Sequence, residues 1–365
     1  DANNLNPGTG PGQDNILEGI GCQPTDATNT TFKFNPPANL GRSNGDTLYD
    51  VSLSPGIMTA AGPSALGSFG YSWKFTVSNV VDLISPTVTA VVPLGPPVAA
   101  GGIAIPRNTV VQVTFSEAVD PTTAAGIFGG ASTFNNITMF DGATQIEGAY
   151  RIGNQYRTVE FISNEPCGIN SCGFSVYCLP ASVIAGTVTD AVTDMAGNEL
   201  DGENTIPLSF PSGDLAAGGD YLWSFETSAN IDLSAPFLTD RVPSKSSPLT
   251  SNVSLSTPLE LYFNEPLSVS TLKGNNVYVT SPATNYWIEY DGDPDNNSAT
   301  LQSLVRIKHD RFTPVMTYEA GVNSAVNDQF QNCYYPSVCD NNGNGVLDQP
   351  VALPFPADDD TNNNG

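Results

Sequence analysis

The sequence predicts an all-β protein built from tandem β-sandwich units. The first observation behind this is an internal repeat. Trp73-Lys74-Phe75-Thr76 recurs as Trp223-Ser224-Phe225-Glu226-Thr227, and Asp82-Leu83-Ile84-Ser85-Pro86 recurs as Asp232-Leu233-Ser234-Ala235-Pro236, each 150 positions later. Segment 114–123, TFSEAVDPTT, recurs at 262–271 as YFNEPLSVST. A period of this length in 365 residues gives two full units and a remnant. The second observation is composition: 34 Gly and 29 Pro, with abundant Asn, Thr and Ser, punctuate the chain into short strands and many turns. The third is that no stretch sustains helical periodicity.

The units fall at 1–81, 82–231 and 232–365. The first holds only the second half of a repeat: Phe32-Lys33-Phe34, Leu48-Tyr49, MTAAG (58–62) and YSWKFTV (71–77). Residues 1–31 read as loop, with one short strand at Asn15–Ile20. The middle unit opens with ISPTVTAVVP (84–93), an extended Pro-bounded strand. TVVQVTF (109–115) reads as a central strand, SEAVDPTT turns the chain, and YRTVEFI (156–162) and FSVYCLP (174–180) follow as strands. VTDMAGN (192–198) is a turn, with Gly and Asn supplying positive φ. YLWSFET (221–227) closes the unit, with Tyr221, Trp223 and Phe225 alternating against Leu222, Ser224 and Glu226. The last unit repeats these landmarks in PFLTDRVP (236–243), LELYFNEP (259–266), NNVYVTS (275–281), LVRIKHD (304–310), MTYEAGV (316–322) and VNDQFQN (326–332). VALPF (351–355) matches IPLSF (206–210), and a counterpart of the closing Trp-x-Phe strand is not found. The two end units thus have complementary defects. Either neighbouring copies complete them, or the chain is a section of a longer repeat protein.

Acidic residues outnumber basic ones 37 to 12, for a net charge of −25. Such a surface repels nucleic acid and anionic lipid, and attracts divalent cations. No run of 18 apolar residues is present, so no membrane insertion is expected. With a single histidine and no Cys-x-x-Cys pair among six cysteines, a zinc site is not expected. Short-range disulfides in an oxidising compartment fit better. Cys333–Cys339 is the simplest pair. Cys167, Cys172 and Cys178 leave one over, which Cys22 is available to take, and the pairing stays open.

The landmarks resemble the bacterial immunoglobulin-like domains of S-layer proteins and large surface adhesins. Phe115-Ser116-Glu117-Ala118-Val119-Asp120, Asp194-Met195-Ala196-Gly197-Asn198 and Trp223-Ser224-Phe225 carry the likeness. Phe263-Asn264-Glu265-Pro266-Leu267 and Val326-Asn327-Asp328 repeat it less faithfully. The resemblance covers most of 32–357. It implies Ig-like sandwiches of about seven strands each in an elongated array. Such domains serve as spacers, adhesive modules and lattice formers, so it says little about function.

The sharpest chemical motif is the run 340–348. Asp340, Asn342, Asn344 and Asp348 fall at positions 1, 3, 5 and 9 of a calcium loop, with Gly345 at position 6 and the Val346 carbonyl at position 7. Position 12 is Val351 rather than Glu, and no helices flank it, so this is not an EF-hand. Asp360, Asn362 and Asn364, followed by Gly365, begin a second such loop. Asp291, Asp293 and Asp295 form a third acidic run, without the glycine. Calcium bound here would be structural.

Other chemistries are weaker. Glu117 and Glu265 are expected to accept backbone N–H groups where a strand leaves the core, and Asp120 to form a turn; no further acid supports catalysis by Glu117 with Asp120. His309 lies in a basic patch with Arg306, Lys308 and Arg311 and reads as a surface residue. Trp73 and Trp223 share a repeat position and are expected in cores; Trp287, between Tyr286 and Tyr290, has no repeat counterpart and is expected to pack in a core, the alternative being an exposed aromatic for a partner or glycan. Lys33 and Lys74 are the candidates for an isopeptide bond. Together these readings predict a structural, extracellular, non-enzymatic protein. Its expected partners are copies of itself in a head-to-tail polymer or further repeats of the same chain. The alternative is an adhesin stalk, or a glycan-binding or spacer module of a larger secreted protein.

Overall fold

The protein is described by a computed structural model that covers residues 23–24, 32–33, 40–58, 62, 71–95, 102–170, 172–204, 210–243, 253–279, 284–292, 294 and 302–334. It divides into two compact units, Asp1–Ile84 and Ser85–Gly365. All strand pairings are antiparallel among the described residues.

In the first unit β1 (Gln23–Pro24) pairs β2 (Phe32–Lys33), and β3 (Thr47–Leu53) pairs β4 (Tyr71–Val77) along seven residues of each strand.

The second unit begins with β5 (Val88–Val92) and β6 (Val111–Phe115). After β6, Asp120 N-caps a single helical turn, Pro121–Ala124, by accepting from Thr122 N at 2.8 Å. That bears out the turn expected there. Next come β7 (Gly126–Gly129), β8 (Ser132–Thr133), β9 (Ile137–Asp141), β10 (Thr144–Gln145), β11 (Gly148–Gly153) and β12 (Thr158–Ser163). A hairpin of β13 (Pro166–Ile169) and β14 (Ser175–Tyr177) precedes β15 (Val183–Val188) and β16 (Tyr221–Glu226). A six-stranded sheet, β5-β6-β12-β11-β7-β8, faces a four-stranded one, β10-β9-β15-β16. Phe115, Tyr150 and Phe161 from the first sheet bury a common core with Met139, Ile184, Tyr221, Trp223 and Phe225 from the second. The closing strand alternates as its sequence requires: Tyr221, Trp223 and Phe225 are buried, whereas Leu222 is exposed.

The rest of the unit builds a second core. Its strands are β17 (Leu238–Val242), β18 (Leu259–Phe263), β19 (Val277–Val279), β20 (Tyr286–Asp291), β21 (Ser303–His309) and β22 (Ala320–Val322). The order β17-β18-β21-β20 matches β5-β6-β12-β11, and β19-β22 matches β9-β15. Even the register shift in the opening strand recurs, between Val88 and Ala90 and between Leu238 and Asp240. Phe263, Val305, Ile307, Val277, Val279, Val326 and Tyr334 fill this core. Among the described residues, no strand pairs β22 where β16 pairs β15.

Several expectations change. Trp73 is not a core residue: it is substantially exposed on β4, because no second sheet covers that face among the described residues. Trp287 sits half exposed on β20, at the edge of its sheet. Lys74 pairs with Asp50 at 2.9 Å with both side chains mostly exposed, which removes the buried setting an isopeptide bond needs. The side chain of Lys33 lies outside the described residues. Two members of the basic patch are paired with acids: Arg306 meets Glu260 at 3.1 Å and Asp291 at 3.8 Å, and Lys308 meets Glu289 at 2.9 Å. His309 stacks on Phe312 at 3.5 Å rather than standing free at the surface.

Gly186 pairs across the sheet with Trp223, and a Cβ at Gly186 would run into the indole. Gly186→Ala is therefore expected to destabilise this core by about 1–3 kcal/mol, read as a lower urea midpoint at unchanged slope.

Candidate functional site

The calcium-loop residues Asp340, Asn342, Asn344, Val346, Asp348, Asp360, Asn362 and Asn364 lie outside the described residues, as do Asp293, Asp295, Cys22, Cys339 and segment 15–20. Asp291, at the end of β20, faces Arg306 at 3.8 Å.

The described residues converge at the junction between the two cores of the Ser85–Gly365 unit. Its centre is Glu160, fully buried in the middle of β12. Glu160 Oε1 accepts from Gln112 Nε2 at 2.9 Å and Val269 N at 2.5 Å. Its Oε2 accepts from Ser268 Oγ at 2.9 Å and Ser270 N at 3.0 Å. Val269–Thr271 is a short 3-10 turn whose first amides have no partner within the turn, and the carboxylate supplies one. Gln112 lies opposite Glu160 in the sheet and donates its amide also to Leu267 O at 2.9 Å. One acid of the first core thus caps a turn of the second.

A second set of bonds parallels it. Gln331 Nε2 donates to Asn108 O at 2.9 Å and Tyr177 O at 2.7 Å, while Gln331 Oε1 accepts from Tyr177 N at 3.0 Å. Asn170 Nδ2 donates to Gln331 O at 2.7 Å. Asn108 Nδ2 donates to Phe330 O at 2.7 Å and Asp232 O at 2.6 Å.

Two disulfides form. Cys167–Cys178, with Cα atoms 5.7 Å apart, closes the β13–β14 hairpin. Cys172–Cys333, at 6.1 Å, crosses the junction. This overturns the Cys333–Cys339 pairing: the loop carrying Cys172 is held against Gln331 and Cys333 by Asn170. Disulfides of this kind fit an oxidising compartment. Among the described residues, no helix is long and apolar enough to cross a membrane.

The two repeat loops fold alike. Asp194 Oδ1 accepts from Ala196 N and Asn198 N, both at 2.8 Å, and Oδ2 from Asn198 Nδ2 at 2.8 Å. Asp328 Oδ1 accepts from Phe330 N at 2.8 Å and Asn332 N at 2.7 Å, and Oδ2 from Asn332 Nδ2 at 2.9 Å. The glutamates of the strand-exit motif stand next to these loops. The carboxylates of Glu117 and Asp194 come within 4.8 Å. Glu265 is buried, and Asn264 Nδ2 donates to its Oε1 at 2.9 Å. Glu265 was expected to accept backbone amides; the Asn264 side chain meets it instead.

Burial pushes the Glu265 carboxyl from its ordinary 4.5 up to about 7, with the nearby Asp232 charge adding to the rise and the Asn264 hydrogen bond opposing it. Burial and the charge of Glu265 hold Asp328 well above the usual carboxylate range.

No protein-family model matches the chain, and no curated protein is significantly similar to it in sequence.

Glu160→Ala strands four buried donors and is expected to cost about 3 kcal/mol or more in chemical denaturation, while Glu160→Gln, which keeps the shape, costs less. The pH dependence has a definite sign. In the folded state Glu265 holds its proton up to about 7, whereas the unfolded chain releases it near 4.5. The folded state therefore binds more protons between these values, and raising pH across them lowers stability. In chelating buffer the melting temperature is expected to fall as pH rises through this window, and Glu265→Gln should flatten the slope.

Proposed function

We propose that this is a structural, extracellular protein, a filament subunit made of tandem Ig-like sandwiches whose copies join head to tail by strand complementation, with calcium stiffening the array. The observation that carries the reading is the state of β4. Tyr71 and Trp73 are 59% and 40% exposed, whereas Tyr221 and Trp223, at the same repeat positions on β16, are 0% and 5% exposed. An apolar strand face left open in this way seeks a partner.

The complementary acceptor is β22, whose outer edge is unpaired among the described residues. The matching registers of the two repeats support one way for a second copy to add. Ile137 pairs Val188 on β15 as Val277 pairs Val322 on β22, so Ala320 stands where Gly186 does. Trp73 of an incoming copy would then lie over Ala320, a small residue in the place that Gly186 gives Trp223. Repeated addition of this kind generates an open fibre rather than a closed oligomer. The net charge of −25 supports a calcium requirement, since cations offset repulsion along such an array.

Electron microscopy and light scattering of the purified chain, with calcium and then with chelator, test the reading. Filaments are expected, and Tyr71→Ala with Trp73→Ala should leave 38.3 kDa particles. Compact particles from the unaltered chain under both conditions would sink it. A glycan-binding module is the second reading, favoured by Trp287, which is 45% exposed on edge strand β20. Quenching of tryptophan fluorescence by oligosaccharides, lost in Trp287→Ala, would favour that reading instead.

A further inference from the structure

We propose that the segment Val253–Leu255, which leads into β18, is a docking edge for the tail Ser78–Val80 of a second copy of this chain, taken by parallel backbone pairing. The contact rests on the filament reading and deepens it by naming a further surface on each partner.

The chain carries one finished example of this contact. After β16 the backbone runs on through Thr227 to Asn230, and Ile105–Arg107 lies along it, with a parallel bridge between Ile105 and Thr227. Ser228 N donates to Ile105 O at 2.7 Å, and Arg107 N donates to Asn230 O at 2.9 Å. The repeat that sets 114–123 on 262–271 also sets 105–107 on 253–255. The backbone agrees. Thr109 N donates to Pro106 O, and Thr257 N to Ser254 O, each at 3.3 Å, so the same turn follows both segments. On the other side of the contact, the repeat that sets Trp73 on Trp223 sets Ser78 on Ser228 and Val80 on Asn230.

In both end repeats the corresponding atoms are left over. Among the described residues Leu255 N and Val253 O make no hydrogen bond, although Leu255 O accepts from Phe312 N at 2.9 Å. Ser78 N makes none either. Val80 O accepts only from the Ser78 hydroxyl, at 3.3 Å, which leaves a lone pair. Ser78–Val80 lies beyond the last pair of the β3–β4 hairpin, Thr47 with Val77, so the hairpin does not occupy it. The tail is also apolar and open. Val80, Val81, Leu83 and Ile84 are each at least 70% exposed. Ile231, the counterpart of Val81, is partly buried, with its Cδ1 against Gly168. Unpaired backbone beside exposed apolar side chains is what strand addition covers. The occupant is a second copy because the middle repeat already makes this contact with the chain's own sequence. It also continues the first surface: β16 pairs β15 and then passes Ile105, so a β4 laid on β22 would carry its tail past Val253.

The test uses the full chain in calcium, with light scattering, electron microscopy and amide hydrogen exchange. Leu255→Pro removes the donor at the second position of the 254–257 turn, where proline is favoured, so the fold is kept; circular dichroism checks this. The variant is expected to need about tenfold more protein to form filaments, as the loss of one such bond implies. In filaments of the unaltered chain, the Ser78 and Leu255 amides are expected to exchange about tenfold more slowly than in the dispersed variant carrying Tyr71→Ala and Trp73→Ala. Filaments of Leu255→Pro that form at the unaltered concentration, or unchanged exchange at these two amides, would overturn the contact and leave the filament reading standing. An unaltered chain that stays at 38.3 kDa would overturn both.

Discussion

The arrangement of the Ser85–Gly365 unit depends on a charge placed where charges are least tolerated. Glu160 is fully buried in the centre of a sheet, and a lone carboxylate there would be prohibitive. It is tolerated because four donors reach it, three of them from Ser268, Val269 and Ser270. The dependence runs both ways. The 3-10 turn at 269–271 would otherwise bury unpaired amides, and β12 would otherwise bury an unsolvated acid. Neither core can keep its own polar groups satisfied if it moves away from the other. This specificity of position, more than added stability, is what such a contact confers.

Gln331 shows the same dependence in the backbone. In the first repeat loop the left-handed position is Gly197, with φ at +93° and no steric penalty. The equivalent position in the second loop is Gln331, with φ at +67°, a conformation that costs a residue with a side chain. A glycine would relieve the backbone but would forfeit three side-chain hydrogen bonds to Asn108 and Tyr177. The loops of the two repeats are thus the same device used differently. One closes on itself, and the other spends its left-handed residue on the junction. The Cys172–Cys333 bridge lies within two residues of Gln331 and holds the same place.

Much of the all-β architecture was legible because it follows from local chemistry. The alternation of β16, the centrality of β6, the turn at Asp120 and the loops at 192–198 and 326–332 all follow from residue spacing and turn propensity. The strands β11 and β15 were harder to read, since they carry glycines that tertiary packing demands and local propensity argues against, Gly186 under Trp223 above all. The junction escaped sequence reading for a different reason. Glu160 and Gln112 sit in apolar strands, which was a visible signal, but only the sheet register sets them side by side. The disulfide partner of Cys333 was likewise hidden, because the two cysteines are 161 residues apart and proximity in sequence pointed to Cys339. The repeat revealed the equivalence of Glu117 with Glu265 and of Asp194 with Asp328, though not that the carboxylates of Glu117 and Asp194 would come within 4.8 Å.

The repeat also explains why exposure on β4 differs in kind from exposure elsewhere. Single apolar residues on a surface are ordinary and carry no message. Tyr71 and Trp73 are exposed on one face of one strand, in the spacing that buries Tyr221 and Trp223 completely or nearly so. The sequence of this strand is therefore that of a core strand, with its aromatic period intact, and not that of a solvated hairpin. A hairpin selected to remain in water would blunt such an edge with charge, as Lys74 and Asp50 do on the opposite face. The aromatic face has no such protection. Its spacing matches that of β16, and among the described residues the outer edge of β22 has no partner strand at the register where Ala320 stands in the place of Gly186.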